Sequence, residues 1–184
     1  MKKLFTMTLA TLALTACVGT ELSTQGKAYN PAEDARVRVF GQNGRPALME
    51  INHKGQKEKV TVGGGLGQAF SSMVGAKGNE SIGMPETAFS KDPSGQSRLL
   101  SGIFFKEFVV PAGSEVTVNN QIQPVTNTGT GYENRADGLY KITTTITTKS
   151  CQGDNVTFVA EAGKNYEVAP IASGTCGVSV YEIK

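Results

Sequence analysis

The sequence predicts an all-β protein, an antiparallel β-sandwich carrying a long glycine-rich insertion. Three observations carry that expectation. From Ala35 onward the apolar residues recur with a period of two, as in strands with one face buried. The alternating stretches are rich in valine, isoleucine and threonine, and glycine or polar turn clusters bound them. No stretch offers an amphipathic helix of three turns.

The elements follow in order. In "ARVRVF" (35–40) Val37 and Val39 point one way and Arg36 and Arg38 the other, which predicts a half-buried strand. "ALMEI" (47–51) and "EKVTV" (58–62) are two more strands, joined through the turn-like "NHKGQK". "IFFKEFVV" (103–110) is apolar on both faces except at Lys106 and Glu107, the pattern of a central strand. "EVTV" (115–118) reads as a short strand. In "LYKITTTITT" (139–148) Tyr140, Ile142, Thr144 and Ile146 share one face, and Thr143, Thr145 and Thr147 the other. "NVTFVAE", "NYEVAP" and "GVSVYEI" complete the set. An internal repeat aligns "FVVPAGSEVTV" (108–118) with "FVAEAGKNYEV" (158–168) without gaps. It predicts two equivalent hairpins, each turning on a glycine with positive φ (Gly113 and Gly163), in a sandwich of two antiparallel sheets.

The chain opens with "MKKLFTMTLATLALTAC". Lys2 and Lys3 precede an uncharged, mostly apolar stretch too short for the roughly 30 Å of bilayer hydrocarbon. That is the pattern of a secretory signal, residues 1–16, removed from the mature chain. The run Leu14-Thr15-Ala16-Cys17 resembles the lipobox of bacterial lipoproteins. The resemblance implies a diacylglyceryl group on Cys17 and, with Val18 rather than aspartate after it, an outer-membrane destination in a Gram-negative cell. Two or three acyl chains, at about 0.8 kcal/mol per buried CH₂, anchor stably where one does not. If Cys17 carries lipid, Cys151 and Cys176 are left as one pair for a disulfide in an oxidising compartment. A metal site is the rival for that pair, but two thiols and the lone His53 make a poor one. The cysteine-flanked C-terminal part is also similar to the ends of small bacterial envelope lipoproteins. Their folds are immunoglobulin-like or transthyretin-like β-sandwiches.

Composition narrows the function. Two of the 18 basic residues lie in the signal and none of the 16 acidic ones, so the mature chain is neutral. It has no global field for holding nucleic acid. With no tryptophan and 39% hydrophobic residues, residues 35–184 suit one domain with a modest core. Residues 17–34 are polar, broken by Gly26 and Pro31, and predict a flexible tether of roughly 20–25 Å root-mean-square reach.

No motif identifies a reaction, and no cofactor is expected. The insertion 63–102 fails both the dinucleotide fingerprint, where Gln68 stands for the needed glycine, and the P-loop pattern. Its apolar residues Leu66, Phe70, Met73 and Val74 are candidate partner or lipid contacts, or else a short helix around 65–75 covering one end of the sandwich. The hydrolase elbow fails after Ser97, and His53 is expected in a solvent-exposed turn without a placed nucleophile. Glu133, Asn134 and Asp137 in "ENRADG" offer a faint calcium turn that lacks the proper spacing. The threonine face at 143–147 reads as a flat recognition surface or as ordinary exposed strand. The sequons at Asn79 and Asn155 would carry no meaning in the bacterial protein that the lipobox resemblance implies. The leading expectation is a non-enzymatic, lipid-anchored envelope protein acting through contacts with another envelope protein. A small-ligand or carbohydrate binder using 63–102 as a lid is the alternative. A glycosidase-like carboxylate pair is the third reading.

Overall fold

Alternating β-branched residues give eleven strands in the computed structural model, which describes residues 22–42, 44–64, 78–93, 102–122, 126–135, 138–147, 150–171 and 176–184. They are β1 Asp34–Gly41, β2 Ala47–His53, β3 Gln56–Val62, β4 Phe104–Pro111, β5 Glu115–Ile122, β6 Thr126–Arg135, β7 Gly138–Thr147, β8 Cys151–Gln152, β9 Val156–Val159, β10 Asn165–Pro170 and β11 Val178–Ile183. One helical turn, α1 Ala88–Lys91, precedes β4. The first sheet has the order β11-β10-β1-β4. The second runs β3-β2-β5, with β5 then pairing β9 along its first half and β8 at its end. β6 and β7 pair with each other as a separate ribbon.

The two sheets share one apolar cluster. Val37, Val39, Phe108, Val110 and Val168 come from the first, and Met49, Ile51, Val60, Val62, Val116 and Val118 from the second. Each such side chain contributes about 1.5–3 kcal/mol on full burial. The all-β class is as expected, but the pairing is mixed. β1 lies parallel to β10 and antiparallel to β4.

The β2–β3 turn is a two-residue loop with both Lys54 and Gly55 at positive φ, the geometry that matches strand twist. The internal repeat is real in space, yet its two copies are not hairpins. β4 and β5 lie in different sheets, as do β9 and β10, so each repeat is an arch that carries the chain from one sheet to the other. Gly113 and Gly163 turn these arches with φ near 80°. The arches interlock: the Gly113 amide donates to the Ala160 carbonyl (2.8 Å) and the Ala160 amide to the Ser114 carbonyl (2.9 Å). Sequence similarity reported equivalence; only the sheet register distinguishes arch from hairpin.

Three further expectations are corrected. β1 is buried on both faces, Arg38 included at 1% exposure. β4 is an edge strand rather than a central one, and its open edge is covered by Asn79 and Glu80. The Glu80 amide donates to the Phe105 carbonyl and the Glu107 amide to the Glu80 carbonyl, both at 2.9 Å. Residues 22–34 do not form a free tether. Leu22 is buried in the main cluster, the Ser23 amide and hydroxyl donate to Glu58, and the Thr24 hydroxyl donates to the Val109 carbonyl at 2.7 Å.

Candidate interaction surface

Asn127 to Thr130 and the facing Thr143 to Ile146 sit in a ladder of ten cross-strand pairs from Thr126↔Thr147 to Arg135↔Gly138. The β6–β7 ribbon is a two-stranded sheet of its own. The chain reaches it from β5, where Ile122 pairs Cys151, and the ribbon's first pair is Thr126 with Thr147. At about 3.3 Å per residue the ribbon is roughly 33 Å long. Residues 128–134 and 138–145 are exposed on both faces. Opposed residues share a face. On one face Thr128 stands against Thr145, Thr130 against Thr143, Tyr132 against Lys141 and Asn134 against Leu139. On the other, Gly129 stands against Thr144, Gly131 against Ile142 and Glu133 against Tyr140.

The ribbon carries Tyr132 at 70% exposure, Leu139 at 63%, Tyr140 at 43% and Ile142 at 37%. These side chains are 37% exposed or more, and a two-stranded ribbon of this kind is marginal alone in water. The threonine face predicted from β7 exists and is twice as wide as expected, because β6 supplies Thr128 and Thr130. β6 itself was missed by period reading. Glu133 and Asn134 lie on this strand rather than in a calcium turn, and Asp137 falls outside the described residues. The spacing Thr126-x-Thr128-x-Thr130 repeats that of Thr143-x-Thr145-x-Thr147 and signals the strand, but Gly129 and Gly131 remove the apolar half of the alternation.

Another cluster of ionisable groups among the described residues is of a different kind. Register places Glu107, Arg38 and Glu167 side by side on the outer face of the first sheet. Arg38 donates through Nε (2.9 Å) and Nη2 (2.6 Å) to Glu107 and through Nη1 (2.9 Å) to Glu167. Its Nη2 also reaches the Pro85 carbonyl at 2.9 Å. The second oxygen of Glu107 accepts from the Ser81 hydroxyl (2.8 Å) and the amides of Ile82 (2.7 Å) and Met84 (3.2 Å). The Thr87 hydroxyl donates to Glu167 (2.8 Å) while capping α1 through the Ser90 amide. Burial pushes the Glu107 carboxyl up, but the donors from Arg38, Ser81, Ile82 and Met84 together outweigh it and hold its pKa below the ordinary 4.5. The cluster is therefore a clasp. It fastens the strap 79–91 over the sheet, with Phe89 packed edge-on to Phe40 at 4.4 Å. Both carboxylates are buried and bound to donors.

The described part of the insertion is thus packed, residues 78–93 on the first sheet. Leu66, Phe70, Met73 and Val74, with the helix expected around 65–75, lie outside the described residues, as does Cys17. Cys151 and Cys176 form a disulfide, with Cα atoms 5.9 Å apart. It ties β8 of the second sheet to the residues leading into β11 of the first.

His53 is half-buried rather than exposed, and its Nδ1 lies 3.0 Å from the Ser114 hydroxyl. That hydroxyl is fully buried and donates to the Pro111 carbonyl at 2.6 Å. A nucleophile needs an exposed oxygen with its proton directed at a base, so the pair is a structural brace. The neighbouring groove of about 400 Å³ also holds Lys27 and Asp34, paired with each other at 2.6 Å. No group of three or more metal-ligating side chains occurs among the described residues. No described helix is long and apolar enough to cross a membrane. Asn79 accepts from the Phe105 amide, and Asn155 accepts from the Asn119 amide group. No protein-family model, curated protein or solved structure matches this chain.

Proposed function

We propose that this chain is a non-enzymatic, lipid-anchored protein of the bacterial outer membrane, a β-sandwich that presents the β6–β7 ribbon as a contact arm for another envelope protein. The observation that carries this reading is the ribbon itself: two strands exposed on both faces, bearing Tyr132, Leu139, Tyr140 and Ile142. Tyrosine is enriched in the centres of protein contacts because it combines apolar area with a polar tip. The shared core of two facing sheets supports a sandwich of immunoglobulin-like or transthyretin-like kind.

The polarity of the domain supports the arm's role. The chain enters near the arches, where Ser23 meets Glu58 and Thr24 meets Val109. β5 begins at that pole, pairing Glu115 with Asn52, and ends at Ile122 at the other, where the ribbon leaves. With Cys17 lipidated and Leu22 buried, the connecting segment reaches about 17 Å at most. The arch pole is then held near the bilayer and the arm starts at the far pole.

The ribbon is also separable, because Ile122 and Cys151 already face each other as a strand pair. Replacing residues 123–150 with an Asn-Gly turn is expected to leave the domain folded, with a melting temperature within a few degrees of the parent. A photo-crosslinking side chain placed at Tyr132 or Leu139 in living cells is expected to give a discrete adduct heavier than the chain. The same group at Glu86, whose side chain is 74% exposed on the strap, gives none. Equal labelling at all three positions, or none at any, overturns the proposal.

A further inference from the structure

We propose that the glycine-floored face of the β6–β7 ribbon is self-complementary and pairs the chain with a second copy of itself, leaving the threonine face and its Tyr132 for the other partner. The inference rests on the reading of the ribbon as a contact arm. On this face the two strands differ in height. β7 raises a ridge of Tyr140, Ile142 and Thr144, while β6 opposes Ile142 and Thr144 with Gly131 and Gly129. A Cβ built at either glycine meets nothing within 4 Å, so the β6 side is a bare backbone ledge. One ribbon is therefore a ridge beside a ledge.

An isologous contact requires a surface that fits its own image. A two-fold axis lying along the strands, between two ribbons stacked face to face, sets each ridge over the other's ledge. Ile142 of each copy then covers Gly131 of the other, and packed layers separated by about 10 Å replace a ribbon open to water on that face. An axis in this direction keeps both ribbons pointing the same way. Two copies anchored in one leaflet have that shared polarity, since anchor and arm lie at opposite poles of the domain.

Size sets the strength. A ribbon roughly 33 Å long and 10 Å wide offers a footprint of about 330 Å² per copy. A standard stable interface uses about 800 Å² per partner. The pair is therefore weak in dilute solution, and confinement of both copies to one membrane raises their effective concentration. The competing occupant of this face is a different envelope protein, and the experiment separates the two.

Single cysteines at Gly131 and Thr144 on the ledge-and-ridge face, and at Thr130 and Thr143 on the opposite face, are treated in intact cells with a short bis-maleimide. Adducts of twice the chain mass are expected from the first two at tenfold or higher yield than from the second two. Adding Ile142→Asp is expected to reduce the self-adduct at least tenfold, whereas adding Thr128→Asp leaves it within twofold. Matching melting curves establish that each variant is folded. Equal yields from the two faces, a heavier non-self adduct in place of the dimer, or no adduct from either face overturns the inference. A missing self-adduct with a persisting adduct at Tyr132 removes this inference alone, whereas loss of both removes the contact-arm reading as well.

Discussion

Replacing Arg38 by methionine is expected to destabilise the domain by about 3–5 kcal/mol, because it leaves Glu107 and Glu167 buried without their cation. At roughly 2–4 °C per kcal/mol for a chain of this size, the melting temperature falls by about 10 °C. The loss is local before it is global. Arg38 also holds the strap through the Pro85 carbonyl, and Glu107 holds it through the Ile82 and Met84 amides. Hydrogen exchange at those two amides should speed up more than exchange in β2 or β5. Removing the carboxylates as well, in Arg38→Met with Glu107→Gln and Glu167→Gln, should recover a good part of the loss, since the cost lies in unpaired charge more than in lost attraction. A single variant that melts within 2 °C of the parent would show that the clasp contributes nothing.

The same clasp sets an acid limb. The folded pKa of Glu107 lies below the ordinary 4.5, so its contribution is fully present above that value. It is lost as pH falls through the lowered folded value. Measured stability should therefore drop on acidification below about pH 4.5, and Glu107→Gln should flatten that slope while lowering stability at neutral pH.

The clasp also shows which parts of the fold were legible beforehand. Period two located nine of the eleven strands or their cores wherever valine or isoleucine filled the inner face, as at Val37, Val39, Val116 and Val118, and it missed β6 and the two-residue β8. It could not tell that Arg38 would be as buried as Val39. The outer face of β1 is covered by residues 79–91, a stretch with no period of its own, and the ion pairs that bury Arg38 come from residues 69 and 129 positions away. Edge or centre was equally hidden. The apolar second face of β4 signals cover, and a strap provides cover as well as a sheet does. In the β6–β7 ribbon, β7 was visible and β6 was not, because two glycines leave half of its alternation blank. Those glycines are also what make the ledge, so the feature that hid the strand is the one that shapes its face.

The disulfide supplies the second large effect. Cys151→Ser with Cys176→Ser is expected to lower stability by about 3.5 kcal/mol, the chain-entropy value for the 26-residue loop it closes. The native contacts among Gly153, Gly177 and Asn120 should survive the change. Gly153 approaches Gly177 so closely that a Cβ on Gly153 would lie 2.6 Å from the Gly177 nitrogen. Buried Asn120 binds both segments, accepting from the Gly177 amide through Oδ1 (2.5 Å) and from the Gly153 amide through its carbonyl (2.8 Å). The loss therefore falls on the unfolded chain, which expands when the cross-link is gone. In urea the midpoint should drop and the slope m should rise, since more surface is exposed on unfolding. Gly153→Val is the contrasting case: it drives backbone against backbone, so it should lower the midpoint with the disulfide intact and m unchanged. Because Cys151 pairs with Ile122 just before the β6–β7 ribbon, the serine variant should also loosen the ribbon's base. Adduct yield at Tyr132 should fall under reducing conditions in the parent and stay constant in the serine variant, and a yield indifferent to reductant in both would detach the arm from the bond.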